Sequence, residues 1–137
     1  MPSYRKKTQH PHLASYPYLW IRIVDNVKNL AFGPFGALVD SGADYTCIPS
    51  GVLLGISGYD QDIEWGRDFR GNPVRVDLVY ILDATVYLLE ADGTLLLQKD
   101  LERLRLPIIE NDGLLGRDIL NHTMCLLDGP GQLCTFQ

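Results

Sequence analysis

ALVDSGADYTCIP (residues 37–49) sets two aspartates around a small Ser-Gly-Ala run, directly behind an apolar stretch. A short strand is expected over residues 35–39, so Asp40 falls where that strand ends and a loop begins. Leu38 and Val39 anchor the strand behind it. Ser41 supplies a hydroxyl that can lock the loop through hydrogen bonds. Gly42 has no Cβ and so lets backbone N–H groups approach the carboxylate closely, and Ala43 is small enough to keep the loop tight. Asp-Ser-Gly is also common turn chemistry, so this run alone reads either as a capped turn or as a rigidly held carboxylate. The chain carries no second copy of it.

Outward from this loop the pattern is mostly β. Residues 18–24 are aromatic and β-branched and read as a first strand, followed by a Gly/Pro turn. Val74, Val76, Leu78, Tyr80 and Leu82 share one parity, while Arg75 and Asp77 take the other, a period of two that marks a half-buried strand. GRDFRGNP before it suits a hairpin tip, and Asp92-Gly93 is a sharper hairpin signal between apolar runs. Residues 118–122 suit one short helix, too short to stand alone. A terminal hairpin is expected from residues 124–127 and 133–136 around Asp128-Gly129-Pro130-Gly131. Residues 1–17 read as a flexible, basic tail and residues 18–137 as one domain.

At 137 residues the chain is long enough to bury roughly 65–70% of its extended surface. Net charge is −5 with 12 basic residues, and no basic cluster of the kind a nucleic-acid face needs appears beyond Arg5-Lys6-Lys7. Three cysteines cannot complete a disulfide framework within one chain, and they lack CxxC spacing, which argues against thioredoxin-like chemistry and structural zinc. A reducing cytoplasm fits. No apolar run approaches the length of a membrane span, and no signal-peptide core is present. No glycine-rich nucleotide cradle occurs. His10 and His12 read as tail residues, His122 as capping or packing the helix, and Cys47 as a packed small hydrophobe. No metal, cofactor, nucleic acid or membrane partner is expected.

A second segment changes the weighing. DGLLGRDIL (residues 112–120) supplies an apolar-apolar-Gly pattern followed by Arg117. Asp40-Ser41-Gly42-Ala43-Asp44 and Leu114-Leu115-Gly116-Arg117-Asp118-Ile119-Leu120, in this order and spacing, resemble the retroviral-type aspartic proteases and their bacterial retropepsin-like relatives. The resemblance covers about residues 18–136. It implies an all-β, closed, barrel-like acid-protease half with one short C-terminal helix, completed as a homodimer. It further implies a catalytic set of Asp40, Ser41 and Gly42, with Ser41 gripping the partner loop. Ala43, Asp44, Trp65, Gly66 and Phe69 are the implied substrate-binding set, and Leu115, Gly116 and Arg117 the structural support. Asp44 and Arg117 are expected to pair; if buried, that pair would cost about 3–5 kcal/mol to break from one side.

Two departures from the family stand out. The hairpin over residues 64–73, in the place of a glycine-rich flap, carries Arg67 and Arg70 and reads either as a flap or as an ordinary surface hairpin. The chain also runs on with LDGPGQLCTFQ, past the short viral terminus. Peptide hydrolysis without metal needs two carboxylates that share one proton, and one loop per chain would supply both through a twofold axis. The expected function is an aspartic endopeptidase acting on peptide or protein substrates. The competing readings are a catalytically silent dimerisation or peptide-binding module and a generic β domain.

Overall fold

The computed structural model describes residues 4–5, 16–128 and 133–136. Lys6, Lys7, His10, His12 and the turn expected at residues 129–132 therefore lie outside the described residues. Strand β1 (Tyr4–Arg5) pairs with the start of β2 (Tyr16–Asp25), which forms an antiparallel hairpin with β3 (Leu30–Val39). Its turn is closed by Asp25, whose Oδ1 accepts hydrogen bonds from the Val27 and Lys28 amides, each at 3.0 Å. Then come β4 (Ile48–Pro49), a 3₁₀ turn (Ser50–Leu53), β5 (Asp60–Arg67), β6 (Pro73–Leu89) and β7 (Leu95–Ile109). The chain closes with β8 (Gly113–Leu115), α1 (Arg117–Leu120), β9 (Cys125–Asp128) and β10 (Leu133–Phe136).

The strands form one mixed sheet in the order β4-β7-β6-β2-β3-β8, with β1 on β2 and β5 on β6; β9 and β10 make a separate antiparallel pair. The sheet is open, which corrects the closed, barrel-like half expected from the sequence. Its path ends at β4 and β8, and these ends meet only through a single bridge between Cys47 and Leu114. The reason is local. β4 has two residues before the 3₁₀ turn, and β8 has three before Gly116, so the contact between them stops at that bridge. The mostly-β composition with one short helix is as expected. Among the described residues no helix is long and apolar enough to cross a membrane.

The long β6–β7 hairpin departs from the simple alternation in the sequence. Val74 and Leu82 of the apolar parity are exposed, whereas Val79 and Ile81 of the other parity are fully buried. The buried set then jumps to Ala84, Val86 and Leu88 across the exposed pair Leu82–Asp83. β7 makes the same jump, from Leu104 to Leu101 across exposed Glu102 and Arg103, and Arg103 has φ 59°. Both strands thus turn over together where β6 exchanges β5 for β2 as its neighbour. Such a double phase change escapes the period-two count over residues 74–82, because from Leu78 to Leu82 both parities are apolar.

The core gathers Leu19, Ile21, Ile23, Phe32, Val39, Ile81, Val86 and Leu106 with Leu115 and Ile119 from the late segment. Full burial of each large aliphatic side chain contributes about 1.5–3 kcal/mol. Leu115 and Ile119 are both at 0% exposure. They pin β8 and α1 against the end of β3 and so fix the frame on which the Asp40 loop hangs.

Candidate active site

Residues 40–47 leave β3 and return toward β4, and both ends hang on neighbouring residues of β8. The Asp40 amide donates to Leu115 O at 3.0 Å, and the Cys47 amide donates to Leu114 O at 2.9 Å. The middle of the loop is held by α1. Four amides at the start of any helix lack internal partners. Here the Arg117 amide donates to Ala43 O at 2.9 Å and the Asp118 amide to Asp44 O at 3.3 Å. A four-residue helix cannot sustain itself in water. Loop and helix hold each other.

Asp40 is half-buried at the strand end. Its Oδ1 accepts from the Gly42 amide at 2.9 Å, and its own carbonyl accepts from Ala43 N at 3.2 Å. A Cβ on Gly42 would lie 3.2 Å from that same Oδ1, so the glycine gives the carboxylate room. Ser41, Gly42 and Asp44 are exposed, and Ala43 is half-buried. Among the described residues the Gly42 amide is the one hydrogen-bond donor to the Asp40 carboxylate.

The structure brings Asp40-Ser41-Gly42-Ala43-Asp44 together with Leu115-Gly116-Arg117. Trp65, Gly66 and Phe69 lie on the β5–β6 hairpin, and among the described residues no hydrogen bond, ion pair or ring contact links them to the loop. Trp65 is 69% and Phe69 93% exposed. The tip is tightly built, with Asp68 Oδ1 accepting from the Arg70 and Asn72 amides, and the Arg70 guanidinium lies 5.4 Å from the centre of the Phe69 ring.

Asp44 and Arg117 do form an ion pair, through Oδ1 and Nη2. It is not buried: the side chains are 71% and 49% exposed. Water screens such a pair, and exposed pairs are worth about 0–1 kcal/mol. The large cost of breaking a buried pair therefore does not apply to this one. Arg117→Ala is expected to lower unfolding free energy by less than about 1 kcal/mol, as urea melts at fixed protein concentration would show.

Cys47 is buried, as its reading as a small hydrophobe implies. Burial, then the nearby charges of Asp118 and Asp40, push its thiol from 9.0 up to about 11. A protonated thiol is a poor nucleophile at neutral pH. The unfolded thiol ionises near 9 while the buried one resists, so this group's contribution to stability is intact below pH 9 and lost as pH rises toward 11. At ~1.4 kcal/mol per unit of difference, the loss reaches about 2 kcal/mol. Denaturant melts at pH 8 and pH 11 should show a steeper decline for the parent than for Cys47→Val.

Two residues of the site are absent from the sequence-based set. Thr46 is fully buried, and its amide donates to both carboxylate oxygens of Asp118 at 3.0 Å. Thr46 Oγ1 donates to Asp118 Oδ1 at 2.7 Å and accepts from the Gly116 amide at 3.0 Å. Asp118 follows Arg117 in the late motif, which was the available signal. Nothing local marks Thr46, whose partners lie 70 and 72 positions away.

No protein-family model and no curated protein matches the chain. Among solved structures it is similar to a retropepsin-like aspartic protease from Rickettsia conorii, at 15% sequence identity over 82% of this chain and 76% of that one, with a TM-score of 0.46. A likeness at that level carries nothing about chemistry. Function is read from the loop itself.

Proposed function

We propose that the chain is an aspartic endopeptidase working as a homodimer, with Asp40 of each copy forming one carboxylate pair. The observation that carries this reading is a half-buried carboxylate at a strand end, in a small-residue loop hung at both ends from β8 and braced by α1. Rigid support of this kind is what a catalytic carboxylate requires. Two such groups about 3 Å apart cannot both ionise, so they share one proton and titrate as a unit. The ionised member takes a proton from a water molecule as the water oxygen attacks the peptide carbonyl carbon, and the protonated member donates to the carbonyl oxygen. Collapse of the tetrahedral adduct re-forms the carbonyl, breaks the C–N bond and sends a proton to the departing amine.

Ser41 would tie the paired loops together, and Asp44 would receive substrate backbone. Trp65, Gly66 and Phe69 would cover the substrate from the hairpin. The β9–β10 pair offers a surface for the second copy: Met124 and Leu126 are 58% and 57% exposed, while Cys125 and Phe136 pack toward the core. An obligate interface should bury upwards of about 2,000 Å². Activity per chain should fall on dilution below the dimer constant. Sedimentation equilibrium run beside an activity titration tests this, and full specific activity from a strictly monomeric sample would refute it.

A second reading, a catalytically silent dimerisation or peptide-binding module, is favoured by one observation. Within the chain no second carboxylate is hydrogen-bonded to Asp40 among the described residues, while Trp65 and Phe69 offer exposed apolar area for holding a peptide. A dimer that binds peptides but cleaves none of a broad library at any pH would establish it.

A further inference from the structure

We infer that Thr46 and Asp118 are positioning residues, a buried latch that sets where the Asp40 carboxylate sits. The inference rests on the reading of Asp40 above, since neither residue reaches a substrate. The link runs through one peptide unit. Leu115 O accepts from the Asp40 amide at 3.0 Å, and the N–H of the same peptide, that of Gly116, donates to Thr46 Oγ1 at 3.0 Å. A peptide group is planar and turns as a unit. Holding its N–H therefore holds the tilt of the carbonyl on which Asp40 hangs.

The hydroxyl of Thr46 does two things from one atom, accepting from Gly116 while donating to Asp118. Asp118 meets it with an acceptor-only carboxylate. That carboxylate takes the Thr46 hydroxyl at 2.7 Å and the Thr46 amide at 3.0 Å, and its Oδ1 also takes the Ile119 amide at 2.8 Å. Three segments meet at one side chain: the loop, the β8–α1 corner and the helix. Thr46 is at 0% exposure, so water cannot take the place of a lost partner. The exposed Asp44–Arg117 pair, by contrast, can be replaced by solvent.

Thr46→Val keeps the shape and removes the hydroxyl; Thr46→Ser keeps the hydroxyl. Hydrogen exchange followed by NMR should show the Asp40 and Gly116 amides opening about tenfold faster in Thr46→Val, with core amides of β2 unchanged and Thr46→Ser close to the parent. With a peptide substrate, kcat of Thr46→Val should fall about tenfold or more while KM moves less than about threefold, and Thr46→Ser should restore kcat. Unchanged exchange at Asp40 and Gly116 in Thr46→Val, or equal losses in the Ser and Val variants, would overturn the latch. If Thr46→Val does not fold, Asp118→Asn carries the same test, because it replaces one acceptor oxygen with a donor facing the Thr46 amide. If the parent cleaves no peptide, the proposed activity fails while the exchange measurements still decide the latch.

Discussion

Asp40→Asn is expected to reduce peptide cleavage by at least about a thousandfold, because members of one catalytic unit fail together when any is removed. Asparagine keeps the shape of the side chain and the acceptor for the Gly42 amide, which donates to Asp40 Oδ1 at 2.9 Å. It cannot share a proton. Fold and dimer should therefore survive, and circular dichroism with sedimentation equilibrium would show that they do. The parent should be most active in acidic to mildly acidic solution, where a carboxylate pair holds one proton. Residual cleavage by the variant within tenfold of the parent would exclude the shared-dyad mechanism, as would a parent rate still climbing beyond pH 9.

Gly116→Ala is expected to destabilise the protein by about 3 kcal/mol, the upper part of the usual cost of overpacking. A Cβ at this position would lie 2.5 Å from the carbonyl carbon and oxygen of Tyr45 and 2.8 Å from the Thr46 amide nitrogen. These are backbone atoms, so no side chain can swing aside. The loop and the β8–α1 corner would have to separate, pulling on the Asp40 amide at Leu115 O and on the Thr46 hydroxyl at the Gly116 amide. Thermal and urea melts would measure the loss. A variant as stable as the parent would mean that the loop and corner can part freely, and the rigid frame assigned to Asp40 would fall with it.

How far the sequence reaches depends on how local each determinant is. The end of β3 at Val39, the hairpin turn around residues 68–71 and the turn at Asp92-Gly93 were legible, because glycine, aspartate and strand-former patterns act within a few residues. The short helix was legible for the same reason, though its observed span is Arg117–Leu120 rather than residues 118–122. The small-residue loop at Asp40 and the Gly116-Arg117 pair could likewise be picked out as short motifs. What only the tertiary structure decided involves contacts between distant segments. The face change at Leu82–Asp83 was hidden because both parities of β6 are apolar from Leu78 to Leu82, and only the swap of neighbouring strands selects one. The sheet stays open because β4 and β8 are too short to extend the single bridge between them, a property of two segments far apart in the chain. Exposure of the Asp44–Arg117 pair follows from where the loop lies on the surface, which charge pairing by itself cannot reveal. Thr46 and Asp118 meet across 72 positions, and a buried threonine acquires its role only from the two groups that the fold places on either side of its hydroxyl.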